Sequence, residues 1–230
     1  LCDRAGVLGK NKPLIRGELC ILPVEHEHLW RATFLRSEDG GDSWELVGDL
    51  GGGQRARVIQ PSVVDLRDGT LLAYMRSQEE HIFKSQSMDM GRSWSPVEPT
   101  KLPNNNSGID MVRLASGNLA LVFNPTGLMR DRGQRDAGLP EGMAGFTTWG
   151  PRTPLVIALS TDEGTSWARW LTLEDGPGVY CYPSVIQGRD GTIHVVYTYR
   201  RQAIRHVQLS EEELLRAPGE VTEGGAVTRR

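Results

Sequence analysis

The sequence predicts an all-β protein built from repeated four-stranded units, arranged as a β-propeller, and three observations carry that prediction. An octet of the form S-x-D-x-G-x-S-W occurs three times, at Ser37–Trp44, Ser87–Trp94 and Ser160–Trp167. Apolar runs flank tight turns at Asp68-Gly69, Ser116-Gly117 and Asp190-Gly191, with a weaker copy over Leu14–Leu22 around Gly17. Such dipeptides between apolar runs mark β-hairpins, because tight hairpin turns need positive φ. Finally, 27 Gly and 13 Pro in 230 residues suit many short strands joined by many turns.

Together these give a unit of hairpin, third strand, octet turn and fourth strand. One such sheet cannot bury both faces, and radial packing of several sheets solves this. About four units are present: residues 14–50, 58–100, 107–173 and 181–209. The first two octets start 50 residues apart and the next interval is 73, so an insertion falls in Thr126–Gly150, where periodicity vanishes and a long loop is expected. The propeller domain spans residues 1–215. Residues 216–230, rich in Gly, Glu and Thr, are expected to form a disordered tail.

The octets themselves report fold rather than chemistry. Ser and Asp two positions apart can hydrogen-bond the N–H groups of their own turn, Gly supplies the unusual φ, and Trp packs beneath.

Composition excludes several classes of function. A hydrophobic fraction of 38% and a charged fraction of 24% describe a globular chain. The net charge of −3 arises from interspersed charges and offers no basic stripe for nucleic acid. No apolar run approaches the ~18–20 residues needed to span a bilayer. Cys2, Cys20 and Cys181 are far apart and form no zinc-binding spacing, and nothing implies a cofactor or metal. The chain starts Leu1-Cys2-Asp3-Arg4, without an initiator Met or signal peptide, as a chain entered partway through a longer gene would, so the compartment stays open.

Beyond the octets, Asn11-Lys12-Pro13, Ile59-Gln60-Pro61-Ser62, Pro103–Asp110, Tyr182-Pro183-Ser184-Val185 and His194–Arg201 resemble the sialidase (neuraminidase) superfamily, specifically bacterial sialidase-like proteins of the BNR-repeat, or Asp-box, type. The resemblance runs over roughly 9–209 and implies a six-bladed propeller whose first one or two blades are absent from this chain. It further implies an exo-acting glycoside hydrolase with an arginine clamp for the carboxylate of an acidic sugar, a Tyr nucleophile helped by Glu, and an Asp acid. Tyrosine nucleophiles are the recognised exception to the two-carboxylate rule.

By this resemblance Tyr182 is the candidate nucleophile, since it has the family's spacing to Asp190-Gly191 and Tyr197. An inward-facing blade aromatic is the plainer reading of the same residue. Arg76 and Arg152 match the second and third arginines, though either could be a surface ion pair. Guanidinium forks grip carboxylates bidentately, which suits an acidic sugar. Gln60 stands where the helper Glu is expected and cannot act as a base. Asp110 could supply a carboxylate or cap its own loop. Asn105 and Asn106 could bind sugar hydroxyls or turn the chain, and Tyr197, Arg200 and Arg201 complete the candidate substrate-binding set. Thr198 stands where the family's motif ends in Glu.

Two other functions remain open at this level. A polysaccharide lyase acting on a uronic-acid linkage could use the same arginines, with Tyr182, His194 or His206 moving protons. A non-catalytic glycan-binding propeller is the third reading. In each, the partner is a carbohydrate bearing a carboxylate. This fragment alone is expected to be inactive, and open blade faces would favour self-association.

Overall fold

A computed structural model describes residues 7–51, 56–128 and 149–218. Its strands, in chain order, are β1 (Val7–Leu8), β2 (Leu14–Arg16), β3 (Leu19–His26), β4 (Arg31–Ser37), β5 (Glu45–Leu50), β6 (Val58–Asp65), β7 (Leu71–Ser77) and β8 (His81–Ser87). They continue as β9 (Glu98–Pro103), β10 (Asp110–Arg113), β11 (Leu119–Phe123), β12 (Leu155–Ser160), β13 (Arg169–Glu174), β14 (Tyr180–Gln187), β15 (Ile193–Tyr199) and β16 (Ala203–Leu209). One short helix follows, α1 (Glu211–Arg216).

These strands form four antiparallel sheets in sequence order: β1–β5, β6–β9, β10–β13 and β14–β16. The sheets are successive propeller blades and match the units read from the repeats. Apolar residues of neighbouring sheets interlock in between. Ile21, Phe34, Leu71 and Met75 lie between the first and second blades, and Leu72, Ile82, Met111 and Leu121 between the second and third. Val122, Ile157, Val185 and Val195 fill the space between the third and fourth. Fully burying one such side chain stabilises the fold by roughly 1.5–3 kcal/mol. On the last blade Ile186, Val196 and Ile204 stay exposed among the described residues.

Each octet folds as expected. In the first, Ser37 Oγ accepts from Gly41 N–H at 2.9 Å, and Asp39 accepts from Ser43 N–H at 2.9 Å and Ser43 Oγ at 2.5 Å. The Ser43 hydroxyl and amide hold the Asp39 carboxyl well below its ordinary range. Trp94 of the second octet stacks on Phe34 of the preceding blade, with ring centroids 4.1 Å apart. Trp167 of the third meets Tyr74 of its preceding blade in a tilted pair, with ring centroids 5.9 Å apart. The second and third octets therefore clip their blades to the ones before them.

Much of the expected Thr126–Gly150 loop lies outside the described residues, as do residues 219–230 of the expected tail and Cys2. Helix α1 was not anticipated, although Ser210 and Glu213 form a capping box and S-x-x-E is its sequence signature.

Candidate functional site

The register of the blades defines the site. The first Ser of each octet faces Cys20, Leu71 and Leu119 on the second strands, and one residue further on, Ile21, Leu72 and Ala120 face Leu14, Val64 and Val112 on the innermost strands. Counting back along the chain from these positions brings Lys12, Ser62 and Asp110 into equivalence, and then Lys10, Gln60 and Gly108. In the fourth blade Ser184 pairs with Val196 as Ser62 pairs with Tyr74, so Tyr182 is the fourth member of the set. The four meet at the propeller axis. A Cβ on Gly108 would lie 3.1 Å from Gln60 Oε1, 3.2 Å from Lys10 Cε and 3.2 Å from Tyr182 Cδ1.

Gln60-Pro61-Ser62 and Tyr182-Pro183-Ser184 share one local device. In both, the ladder skips two residues before the Ser, and the residue before Pro takes a left-handed backbone, φ 55° at Gln60 and 51° at Tyr182. For residues with a Cβ this conformation is costly and is held by surrounding structure. Bulges of this kind re-aim a side chain away from the sheet. Tyr182 is thereby turned out and is 44% exposed, despite lying at the start of an inner strand.

Arg76 and Arg152, both buried, flank it. The Arg152 guanidinium carbon lies 5.2 Å from the Tyr182 ring centroid and 5.6 Å from that of Trp149. Arg76 lies 5.4 Å from the Trp30 ring and donates from Nη1 to Gln60 Oε1 at 3.1 Å. Burial alone would raise the Tyr182 phenol, but the Arg152 and Arg76 charges outweigh it and hold the phenol below its ordinary value. Arg76 Nε and Arg152 Nη1 are buried and have no acceptor among the described residues. Two guanidiniums converging on one phenol, each with an unmatched N–H, form a site for an anion, because a buried donor without an acceptor is costly.

Sequence reasoning missed Glu25. It is 2% exposed, and its Oε2 has no partner among the described residues. Burial pushes its carboxyl from 4.5 up to about 7, against the opposing charge of Arg76 and a hydrogen bond with Gln60. The site thus holds a carboxyl beside Gln60, contributed by a different blade. Nothing in the local sequence marks Glu25; only the register between blades does. Lys10 was also given no role. Its ammonium donates to Asn11 Oδ1 at 2.9 Å, Ile109 O at 2.8 Å and Pro183 O at 2.6 Å.

Asp110 has no exposed surface and ties its own blade to the other three. It accepts from Lys12 Nζ at 2.8 Å, Ser62 Oγ at 2.8 Å and Val185 N–H at 2.8 Å. Asn105 and Asn106 are likewise fully buried. Asn105 Nδ2 donates to Pro151 O at 2.5 Å and so holds the segment leading into Arg152.

The remaining expected contacts lie elsewhere. Tyr197 points between blades, 1% exposed, with its hydroxyl donating to Glu174 Oε1 at 2.7 Å. Arg200 and Arg201 are exposed in the β15–β16 turn, and Arg200 stacks on Tyr199. His194 faces Ile186, four residues beyond Tyr182, and contacts His206 at 3.1 Å on the exposed side of the blade. Among the described residues no three His, Cys, Asp or Glu side chains are grouped to hold a metal ion. Nor, among the described residues, is any helix long and apolar enough to cross a membrane.

Known proteins share this fold. An anhydrosialidase of Macrobdella decora is 30% identical over 96 residues, which cover 40% of this chain and 12% of that protein. An intramolecular trans-sialidase from Ruminococcus gnavus superposes with a TM-score of 0.66 at 18% identity, over 90% of this chain and 44% of the other. A Hadza microbial sialidase superposes with a TM-score of 0.69 at 16% identity, over 90% of this chain and 38% of the other. The chain spans less than half the length of each of these proteins. The fold is that of the sialidase propellers, and the BNR repeat-like domain family matches residues 4–195. With its three Asp boxes and a family match over most of its length, the chain belongs to the BNR repeat-like domain family.

Proposed function

We propose that this chain carries the nucleophile and the carboxylate clamp of a sialidase-type glycoside hydrolase acting on an acidic sugar. One observation supports this above the others: Arg76 and Arg152 converge on Tyr182 while each keeps a buried N–H without an acceptor among the described residues. The substrate carboxylate accepts from those two guanidiniums. The Tyr182 oxygen attacks the anomeric carbon as the leaving alkoxide departs and takes a proton from an acid, and water then cleaves the tyrosyl glycoside. A phenol suits this task because a carboxylate nucleophile would be repelled by an anionic sugar. The two arginines favour the phenolate, which eases the demand on a helper base at Gln60.

Gln60 favours a uronate lyase as the second reading, since an amide stands where the helper carboxylate is expected and the Glu25 carboxyl beside it is pushed up to about 7 by burial. His194 and His206, its other expected proton carriers, lie along the blade away from Tyr182.

The test is the full-length protein incubated with a fluorogenic sialoside. We expect turnover, a drop of about three orders of magnitude or more in Tyr182→Phe, and a covalent mass adduct on Tyr182 from a fluorinated sialyl donor. Release of an ultraviolet-absorbing enoate from a uronate polysaccharide, without sialoside turnover, would transfer the assignment to a lyase. Sialoside binding without turnover of either substrate would leave a glycan-binding propeller.

A further inference from the structure

The four axial positions are held by Lys10, Gln60, Gly108 and Tyr182, and the first and last of these are physically tied. The Lys10 ammonium has three hydrogens and three acceptors, of which Ile109 O belongs to the third blade and Pro183 O to the fourth. Pro183 O is the carbonyl immediately after Tyr182, inside the two-residue bulge that turns the phenol out of the sheet. Proline carries no N–H, so this stretch cannot be pinned by a ladder bond donated from position 183. The left-handed backbone of Tyr182 therefore needs another anchor, and the shortest bond at the bulge is the one from Lys10, at 2.6 Å.

We propose that Lys10 is the positioning residue of the Tyr182 bulge, fixing the Pro183 carbonyl and through it the aim of the phenol between Arg76 and Arg152. The proposal rests on the reading of Tyr182 as the reactive group, but its physical content does not depend on the substrate. Lys10 is not the missing base, because all three of its hydrogens are already donated and none of its acceptors is the phenol. Burial pulls the ammonium down to about 8, with the charge of Asp110 opposing that shift. Its position is therefore maintained by the carbonyls it bridges rather than by favourable solvation.

The test follows the Tyr182 phenol in the full-length protein, as the tyrosinate ultraviolet band of each variant minus that of its Tyr182→Phe counterpart. Lys10→Met and Lys10→Arg are compared with the parent. The arginine variant keeps the charge, but its planar fork cannot serve three acceptors arranged as a tripod. Both are expected to move the Tyr182 titration upward by about one pH unit or more as the ring leaves its cations. Lys12→Met removes an ammonium that binds Asp110 and Met111 O instead, and should leave the titration in place.

In sialoside assays the Lys10 variants should lose kcat more than they raise KM. If either Lys10 variant folds and keeps the parent titration, the proposal is wrong. It also fails if Lys12→Met shifts the phenol equally, because Lys10 would then be one of two general blade pins. A parent protein that cleaves no sialoside would overturn the hydrolase reading while leaving the titration to decide the role of Lys10.

Discussion

Glu25 and Arg76 hold the same place in successive blades, each the fifth residue after the one that faces the first Ser of an Asp box. Opposite charges at one repeated position meet at the axis across Gln60, which hydrogen-bonds both. Because Glu25 is so deeply buried, its ionisation is coupled to folding. Its folded value of about 7 lies above the ordinary 4.5. The folded state therefore binds more protons between these values, and stability falls as pH rises from 4.5 to 7. The whole effect is at most about 3 kcal/mol. Glu25→Gln should flatten urea midpoints over that window, and a parent protein whose midpoint is already flat there would contradict it.

Gly108 is the one axial position without a side chain. Only 3.1–3.2 Å would separate an added Cβ there from Gln60, Lys10 and Tyr182. Gly108→Ala should cost about 1–3 kcal/mol through overpacking. It should also displace the phenol, reducing turnover more than the stability loss explains. Thermal unfolding and kinetics of the same preparation separate the two effects.

Asp110 is read as a structural pin rather than a reacting acid, since its acceptors are occupied by donors from three blades. Asp110→Ala leaves the Lys12 ammonium and the Val185 N–H without their partner. The expected loss is about 3–5 kcal/mol, as for a broken buried ion pair. A variant with unchanged stability and abolished turnover would restore the catalytic reading.

Arg152→Lys keeps the charge but loses the planar fork and its stacking between Trp149 and Tyr182. Binding of a free acidic sugar should weaken by about 10–100-fold, as expected for one or two charge-assisted hydrogen bonds. The Tyr182 phenol should shift upward less than in Arg152→Met. Calorimetric titration with sialic acid measures the first effect and ultraviolet titration the second.

The blades were legible because Asp boxes and Gly-containing hairpin turns are local, whereas Tyr182, Arg76 and Arg152 were named only through the family resemblance, and the structure brings these three together. Glu25 and Lys10 were not legible, because their meaning arises only when separate strands align across a blade. Tyr197 shows another gap. Spacing placed it near Tyr182, but strand alternation turns its side chain between blades toward Glu174. Arg200 and Arg201 lie past the end of that strand, in the β15–β16 turn. Asn105 and Asn106 were read as either sugar contacts or chain-turning residues, and both are fully buried.

The three Asp boxes sit at one end of their blades, where Ser37 faces Cys20, and the axial set sits toward the other, where Glu25 and Arg76 lie next to the ends of their strands. That separation lets the two ends diverge independently. Descendants of one ancestral blade can keep the same clip while exchanging a lysine, an amide, a glycine or a phenol at the axis. A relative with every box intact can therefore have changed trade altogether, and its inheritance is read from the residues two places before each Lys12-like position.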